Sequence, residues 1–371
     1  MADQLQASRS DGVERCQSAL KQPPSAPSIA GSAIRYRNPV LLAPMSGVTD
    51  APFRNLAFKF GAGAVISEMV ASRGLCTGQA EMVLKASNAG IRPNIVQLAG
   101  REPEWMAEAT RIVIDAGADV VDINMGCPAR KVTSGYSGSA LMREPDLARR
   151  LIEATVCAAQ KHNVPVTLKM RLGWDDDTRN AADVARMAAD CGVELFTVHG
   201  RTRCQFYKGV ADWPAVAEVV DAVTQPVVVN GDIGDIASAR MALEQSGASA
   251  IMVGRAAYGK PWLAGALSTA LETGADILVE PSAAQRLDIA RAHLEALLSH
   301  YGIHLGLRSA RKHLAWYLDP LAGRSPWIGA MRQDIVRCDD PDRVMGCLAQ
   351  IGQRLADGDE SHAVTPDAVA A

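Results

Sequence analysis

The stretch VDINMGCPARKV, Val121 to Val132, holds a cysteine where a buried strand should break into a turn. Cys127 stands between Gly126 and Pro128, with Arg130 and Lys131 close behind. A thiol in this setting can pack, ligate a metal, or serve as nucleophile or proton donor. The chain has 8 cysteines, with no CxxC and no pair at zinc-ligand spacing, so neither a disulfide framework nor a metal site is expected. A loop position, where function concentrates, favours the reactive reading for Cys127. Cys157 and Cys191 fall in helical stretches and read as packing residues, and Cys204 as structural.

Other chemistry-bearing residues recur at one kind of place. Short apolar runs finish in Met45, Glu68, Gln97, Asn124, Lys169 with Arg171, His199, Asn230 with Asp232, and Arg255. Strands covered on both faces are apolar throughout, so polar ends drawn from many strands point to a catalytic mouth at the C-terminal rim of an α/β barrel. Gln97, Lys169 and His199 could donate along the edge of a flat ring over a floor of Ala43, Pro44 and Met45. An ammonium ending an apolar strand is costly unless an anionic or electron-rich partner waits there, and a reduced flavin is such a partner. Gly231 and Gly254 let the main chain approach closely, and Arg255 can fork onto phosphate oxygens, after the two strands where barrels commonly hold phosphate. The spacing alone does not separate flavin from another phosphate-bearing cofactor.

The elements that must position these residues follow one rhythm. From Pro39 onward the runs PVLLAPM, AGAVISEM, PNIVQLAG, DVVDINMG, PVTLKMR, ELFTVHG, PVVVNGD and AIMVGR alternate with amphipathic helical stretches that end on glycine. That alternation predicts a (β/α)8 TIM barrel. After Pro281 the chain turns to helices alone and predicts a small C-terminal helical bundle. The expected organisation is a disordered extension over 1–34, a barrel over 35–278, a helical domain over 279–355 and a flexible tail over 356–371.

Composition narrows the class further. Of 371 residues 48% are hydrophobic, enough for a large core, and no run of apolar residues is long enough to cross a bilayer. The first residues lack the marks of a secretory leader, and a cytoplasmic monomer is expected. The net charge of −3 does not mark a nucleic-acid binder, but a local patch would count for more. From Arg286 to Arg337 basic residues outnumber acidic ones eight to four, and four of the 7 histidines fall there.

NMGCPARKV, together with LAPMSGVTDAPFR, VQLAG, LKMRLGW, VHGRTR, NGDI and VGRAAYGKPWL, closely resembles the tRNA-dihydrouridine synthase family, in order from about Pro39 to about Leu348. The RKH at Arg311 to His313 is similar to that of its bacterial B-type branch. The resemblance implies an enzyme that binds FMN, takes electrons from NADPH, and reduces the C5–C6 double bond of particular uridines in tRNA to dihydrouridine. It implies FMN contacts from Pro44, Met45, Ser46, Gln97, Lys169, His199, Asn230, Gly231, Asp232, Gly254 and Arg255, a general acid in Cys127, and contacts to the uracil from Asn124 and Arg171. For RNA it implies Arg308, Arg311, Lys312, His313 and Arg324 in the helical domain, continued by Lys131, Arg201 and Arg203 on the barrel rim. Gly135 and Gly138 suggest a flap over the base. Alternative readings are the same chemistry on ribosomal RNA, an FMN dehydrogenase of a free pyrimidine-like molecule, and a non-catalytic RNA-binding module.

Overall fold

The computed structural model describes residues 29–32, 34–323 and 325–356. The expected tail beyond Ala356, most of the expected N-terminal extension, and Arg324 lie outside them.

The first unit is a closed parallel barrel. Its strands are β1 (Val40–Leu42), β2 (Ala64–Val65), β3 (Val70–Ala71), β4 (Ile95–Ala99), β5 (Val120–Met125), β6 (Val166–Arg171), β7 (Leu195–His199), β8 (Val227–Asn230) and β9 (Ala250–Val253). They pair in the order β2-β1-β9-β8-β7-β6-β5-β4-β3. A parallel bridge from Ile66 to Ile95 joins the two ends. There are thus eight staves, of which the second comes in two pieces. The break falls at Ser67, whose hydroxyl, rather than a strand carbonyl, accepts the Gln97 N–H at 2.9 Å.

Alternation of side chains about each strand explains where the polar groups go. Leu41, Ala64, Ile95, Val120, Leu195, Val228 and Ala250 belong to one apolar cluster, each near the start of its strand. Two residues further along, at the same parity, β4 and β5 carry Gln97 and Asp122, and β8 carries Asn230. One apolar layer therefore lies below a polar one. Ile29, Ile34 and Tyr36 join the apolar layer at 1%, 5% and 4% exposure. This corrects the expected boundary: residues just before 35 are part of the barrel core, because an isoleucine gains about 2 kcal/mol by leaving water.

The second unit takes in Tyr258–Pro261 and the described residues from Val279 to Ala356. Four helices, Ala283–Tyr301, Ile303–Ala322, Pro326–Arg337 and Pro341–Ala356, make up most of it. Ser282 opens the first with a capping box to Gln285, and Gly302 at φ 76° separates the first two. Leu287, Ala290, Leu294 and Leu297 form one buried stripe, and Leu307, Ala310, Leu314 and Leu318 another. Tyr258 stacks on Trp316 with centroids 4.1 Å apart, which ties a short segment from within the expected barrel range to this unit.

His313, expected on an RNA surface, is 1% exposed within this bundle. Its ring meets that of His293 at 4.5 Å, and His293 Nδ1 lies 3.2 Å from the Tyr317 hydroxyl. Burial, reinforced by Lys312, pushes His293 down to about 3. Burial, with His293 and Lys312, also holds His313 well below the usual histidine range.

Candidate active site

Polar residues from five strands meet at the C-terminal ends of β4 to β8. Ladder pairing sets Gln97 beside Asp122, Asp122 beside Thr167, Asn124 beside Lys169, and His199 between Arg171 and Asn230. Parallel neighbours share a face, so the register alone collects these side chains.

A chain of hydrogen bonds runs through them. Thr167 Oγ1 and Gln97 Nε2 donate to the two carboxylate oxygens of Asp122 at 2.6 and 2.7 Å. Asn124 Nδ2 donates to Gln97 Oε1 at 2.6 Å. Asn124 Oδ1 accepts the backbone N–H groups of Gly126 and Cys127 at 3.2 and 3.0 Å. Asn124, expected to contact the substrate base, also shapes the turn that carries the thiol.

Cys127 is half-buried at that turn. Its carbonyl accepts Ser139 Oγ at 2.8 Å and Ser139 N–H at 3.1 Å. Gly138, expected in a flap, has φ 60°, and a Cβ there would fall 2.9 Å from that carbonyl. Glycine is required by this close approach. Burial pushes the thiol up, against smaller opposing effects from the Ala129 backbone, Arg171 and Lys169. Among the described side chains, the cations that act on the sulfur are strand-borne, and Arg130 is exposed in the short helix Arg130–Thr133.

Arg171 is 1% exposed. It donates from Nε to Gly126 O at 2.8 Å, and from Nη1 to Thr202 O and Phe206 O at 2.9 and 2.8 Å. Burial lowers it to about 10, with Tyr207 opposing the fall. Lys169 Nζ donates to Asn230 Oδ1 at 3.0 Å, and Asn230 Nδ2 to Met252 O at 2.8 Å. Burial and then Arg171 push Lys169 down to about 8, against Asp122 and Cys127.

Arg201, expected on the RNA-facing rim, is 1% exposed and belongs to this interior. Its guanidinium reaches both oxygens of Asp232, with Nη1 to Oδ1 at 2.9 Å. It also donates to Lys208 O, at 3.1 Å, and to Gly209 O, at 2.7 Å. Arg201 Nη1 sits 3.3 Å from His199 Nε2, and because arginine only donates, that nitrogen is the acceptor. Burial first, then Arg171, Lys169 and Arg201, hold His199 well below its usual range. It is neutral, with its proton on Nδ1.

The Asp232 carboxylate is likewise occupied, accepting the Ala211 N–H at 2.8 Å and lying 3.5 Å from Arg255. Burial raises it, but Arg201 and the Ala211 amide outweigh that and hold it below the carboxylate norm. These contacts shape the loop that carries Asp232. Gly231 precedes it at φ 122°, with an added Cβ 2.9 Å from the His199 ring, so no side chain fits between ring and main chain.

The remaining expected residues form the rim. Pro44 and Met45 are half-buried, Ser46 is exposed, and Gly254 leads into Arg255, whose side chain is 46% exposed. Arg203 is half-buried, with its guanidinium 4.5 Å from the Trp174 ring centroid and 4.7 Å from that of Phe206. Sequence reasoning missed Asp122, Thr167 and Tyr207. The Tyr207 ring lies under the Arg255 guanidinium at 4.5 Å and that of Arg171 at 5.5 Å. Within the helical unit Arg308 is exposed, and Arg311 and Lys312 are half-buried, Arg311 paired with Asp339.

Among the described residues no group of three or more metal-ligating side chains occurs, and no helix is long and apolar enough to cross a membrane. The family described as Dihydrouridine synthase (Dus) matches residues 41–344. A "Probable tRNA-dihydrouridine synthase" of Rhodobacter capsulatus is 53% identical over 324 residues, covering 86% of this chain and 97% of that protein. One of the same description from Rhizobium leguminosarum bv. phaseoli is 52% identical over 84% of this chain and 94% of its own. The "tRNA-dihydrouridine synthase B" of Xanthomonas axonopodis pv. citri is 46% identical over 82% of this chain and 89% of its own. This chain belongs to the dihydrouridine synthase family.

Proposed function

We propose that this protein reduces the C5–C6 double bond of specific uridines in tRNA, with FMN as bound cofactor, NADPH as reductant and Cys127 as general acid. The observation that carries the reading is the meeting, at one barrel mouth, of a thiol raised by burial and two cations, Lys169 and Arg171, without a carboxylate ion pair among the described residues. The names of the relatives support tRNA as substrate.

The donor set suits a flat, partly anionic ring with a phosphate tail. Lys169 holds a costly buried charge that an electron-rich ring edge would offset, and neutral His199 adds a donor at Nδ1. The Gly254 turn and the exposed Arg255 head suit phosphate, and Pro44, Met45, Ser46, Gln97, Asn230 and Gly231 would complete the cradle. When bound, FMN would supply the hydride for C6 of the base.

The residues of the chain would do the rest. Cys127 would deliver the proton to C5, and a raised thiol is protonated at neutral pH and ready to donate. Arg171, with Nε and Nη1 occupied by carbonyls, keeps Nη2 for the base and would stabilise charge developing on its carbonyl. Arg308, Arg311 and Lys312, with Lys131 and Arg203 at the rim, would position the RNA through phosphates. Arg201 and His313, being buried, have no part in contacting RNA. The described cysteines are all free, which suits a reducing cytoplasm.

The test is turnover of the purified protein with NADPH on unmodified tRNA, ribosomal RNA and free uridine. Dihydrouridine at defined tRNA positions, with flavin absorption in the protein, supports the reading. Product only from ribosomal RNA or from the free nucleoside would replace the substrate, and a colourless protein would remove the cofactor.

A further inference from the structure

We infer that Asp122 is a positioning residue: its carboxylate sets the direction of the Gln97 and Asn124 amides and thereby holds the turn that presents the Cys127 thiol. The role bears on catalysis only if Cys127 is the proton donor, but the positioning can be measured independently of that reading.

Hydrogen-bond polarity dictates the order of the chain. A carboxylate accepts and never donates, whereas an amide has one accepting and one donating end. Asp122 is 3% exposed, and its two oxygens are taken by Thr167 Oγ1 and Gln97 Nε2. Gln97 must therefore turn its NH2 toward Asp122, which leaves its oxygen facing Asn124. Asn124 must in turn offer its NH2 to Gln97, which aims its own oxygen at the Gly126 and Cys127 N–H groups. Reversing either amide would set oxygen against oxygen, or NH2 against the N–H groups of the turn. Gln97 and Asn124 are 1% and 8% exposed, so water is poorly placed to repair a reversed link. Neither amide has a preferred direction of its own; the carboxylate at the far end supplies it, and although burial raises that group, the hydrogen bonds from Thr167 and Gln97 and the charge of Lys169 favour its accepting, charged form.

Two substitutions separate this role from simple packing. In Asn124→Asp alone, the new carboxylate still accepts from the turn but cannot donate to Gln97, so Gln97 is caught between two acceptors. Adding Asp122→Asn relieves the conflict by running the chain backwards. Thr167 then donates to the oxygen of the new amide at position 122, that amide donates to Gln97 Oε1, and Gln97 donates to the new carboxylate, which keeps its hold on the turn.

The experiment is the limiting rate of iodoacetamide reaction at Cys127, followed on the Cys127 peptide across a pH series. The pH profile separates a change in thiol pKa, which a carboxylate at position 124 would cause, from a change in presentation of the sulfur. Asn124→Asp should alter the limiting rate by about tenfold, and Asp122→Asn with Asn124→Asp should return it to within about threefold of wild type, the size expected of one conflicted buried hydrogen bond. A double variant no closer to wild type than Asn124→Asp overturns the proposal. If Asn124→Asp does not fold, recovery of folded protein in the double variant supports it and a double variant that also fails to fold overturns it. Activity of Cys127→Ala on tRNA is read separately, so loss of the general-acid assignment would be distinguished from loss of this one.

Discussion

Arg201 and Asp232 form a two-pronged ion pair in which the arginine is 1% exposed and the carboxylate side chain 27%. The same guanidinium rests against His199 Nε2 at 3.3 Å, so one contact fixes both the Asp232 loop and the tautomer of the histidine. Replacing Asp232 with alanine leaves a buried guanidinium without its counter-charge and should lower stability by roughly 3 kcal/mol. Urea unfolding checks this. Arg201→Lys should fail to restore the site, because an ammonium cannot fork onto two oxygens while holding Lys208 O and Gly209 O.

Lys169 yields a prediction at alkaline pH. Its folded value, about 8, lies below the ordinary 10.5, so between those limits the unfolded chain binds the proton that the folded chain has released. Stability of the cofactor-free protein should therefore rise with pH across that window, and Lys169→Met should flatten the rise. Affinity for FMN should move the opposite way, weakening above about pH 8 as the ammonium is lost. Urea midpoints and flavin titration between pH 7 and roughly 10 read both limbs. A flavin affinity that is flat in wild type would count against the assigned contact.

The helical unit responds at the acid side. His293, at about 3, and His313 stay neutral in the fold, while in the unfolded chain both titrate near 6.5. As pH falls below 6.5 the unfolded state gains protons and the folded state does not, so stability drops toward the folded value of His293. His313→Leu should reduce that drop relative to wild type when urea midpoints are compared at pH 7 and about 5.

Much of the site is legible in the sequence. Apolar runs that end in polar residues locate the mouth because parity and register bring those ends together. What escapes is pairing across long separations. Arg201 in VHGRTR looks like a surface cation until Asp232, thirty-one residues later, is found against it. Asp122 looks like a polar interruption of a strand, since nothing local marks Thr167 and Gln97 as its partners. His313 carries a usable signal: it lies three residues after Ala310 and four before Tyr317, both buried, so helical periodicity puts it on the inward stripe. The division of the second stave has no signal, because it depends on a serine side chain replacing a carbonyl in the ladder.

The most direct test of Cys127 as the proton donor is a single turnover of Cys127→Ala, with its flavin fully reduced beforehand, on unmodified tRNA. Dihydrouridine formation should slow by about 10²- to 10⁴-fold, the usual worth of a positioned general acid, while flavin content and the rate of reduction by NADPH stay at wild-type levels. Product formed within a few-fold of the wild-type rate would contradict the assignment.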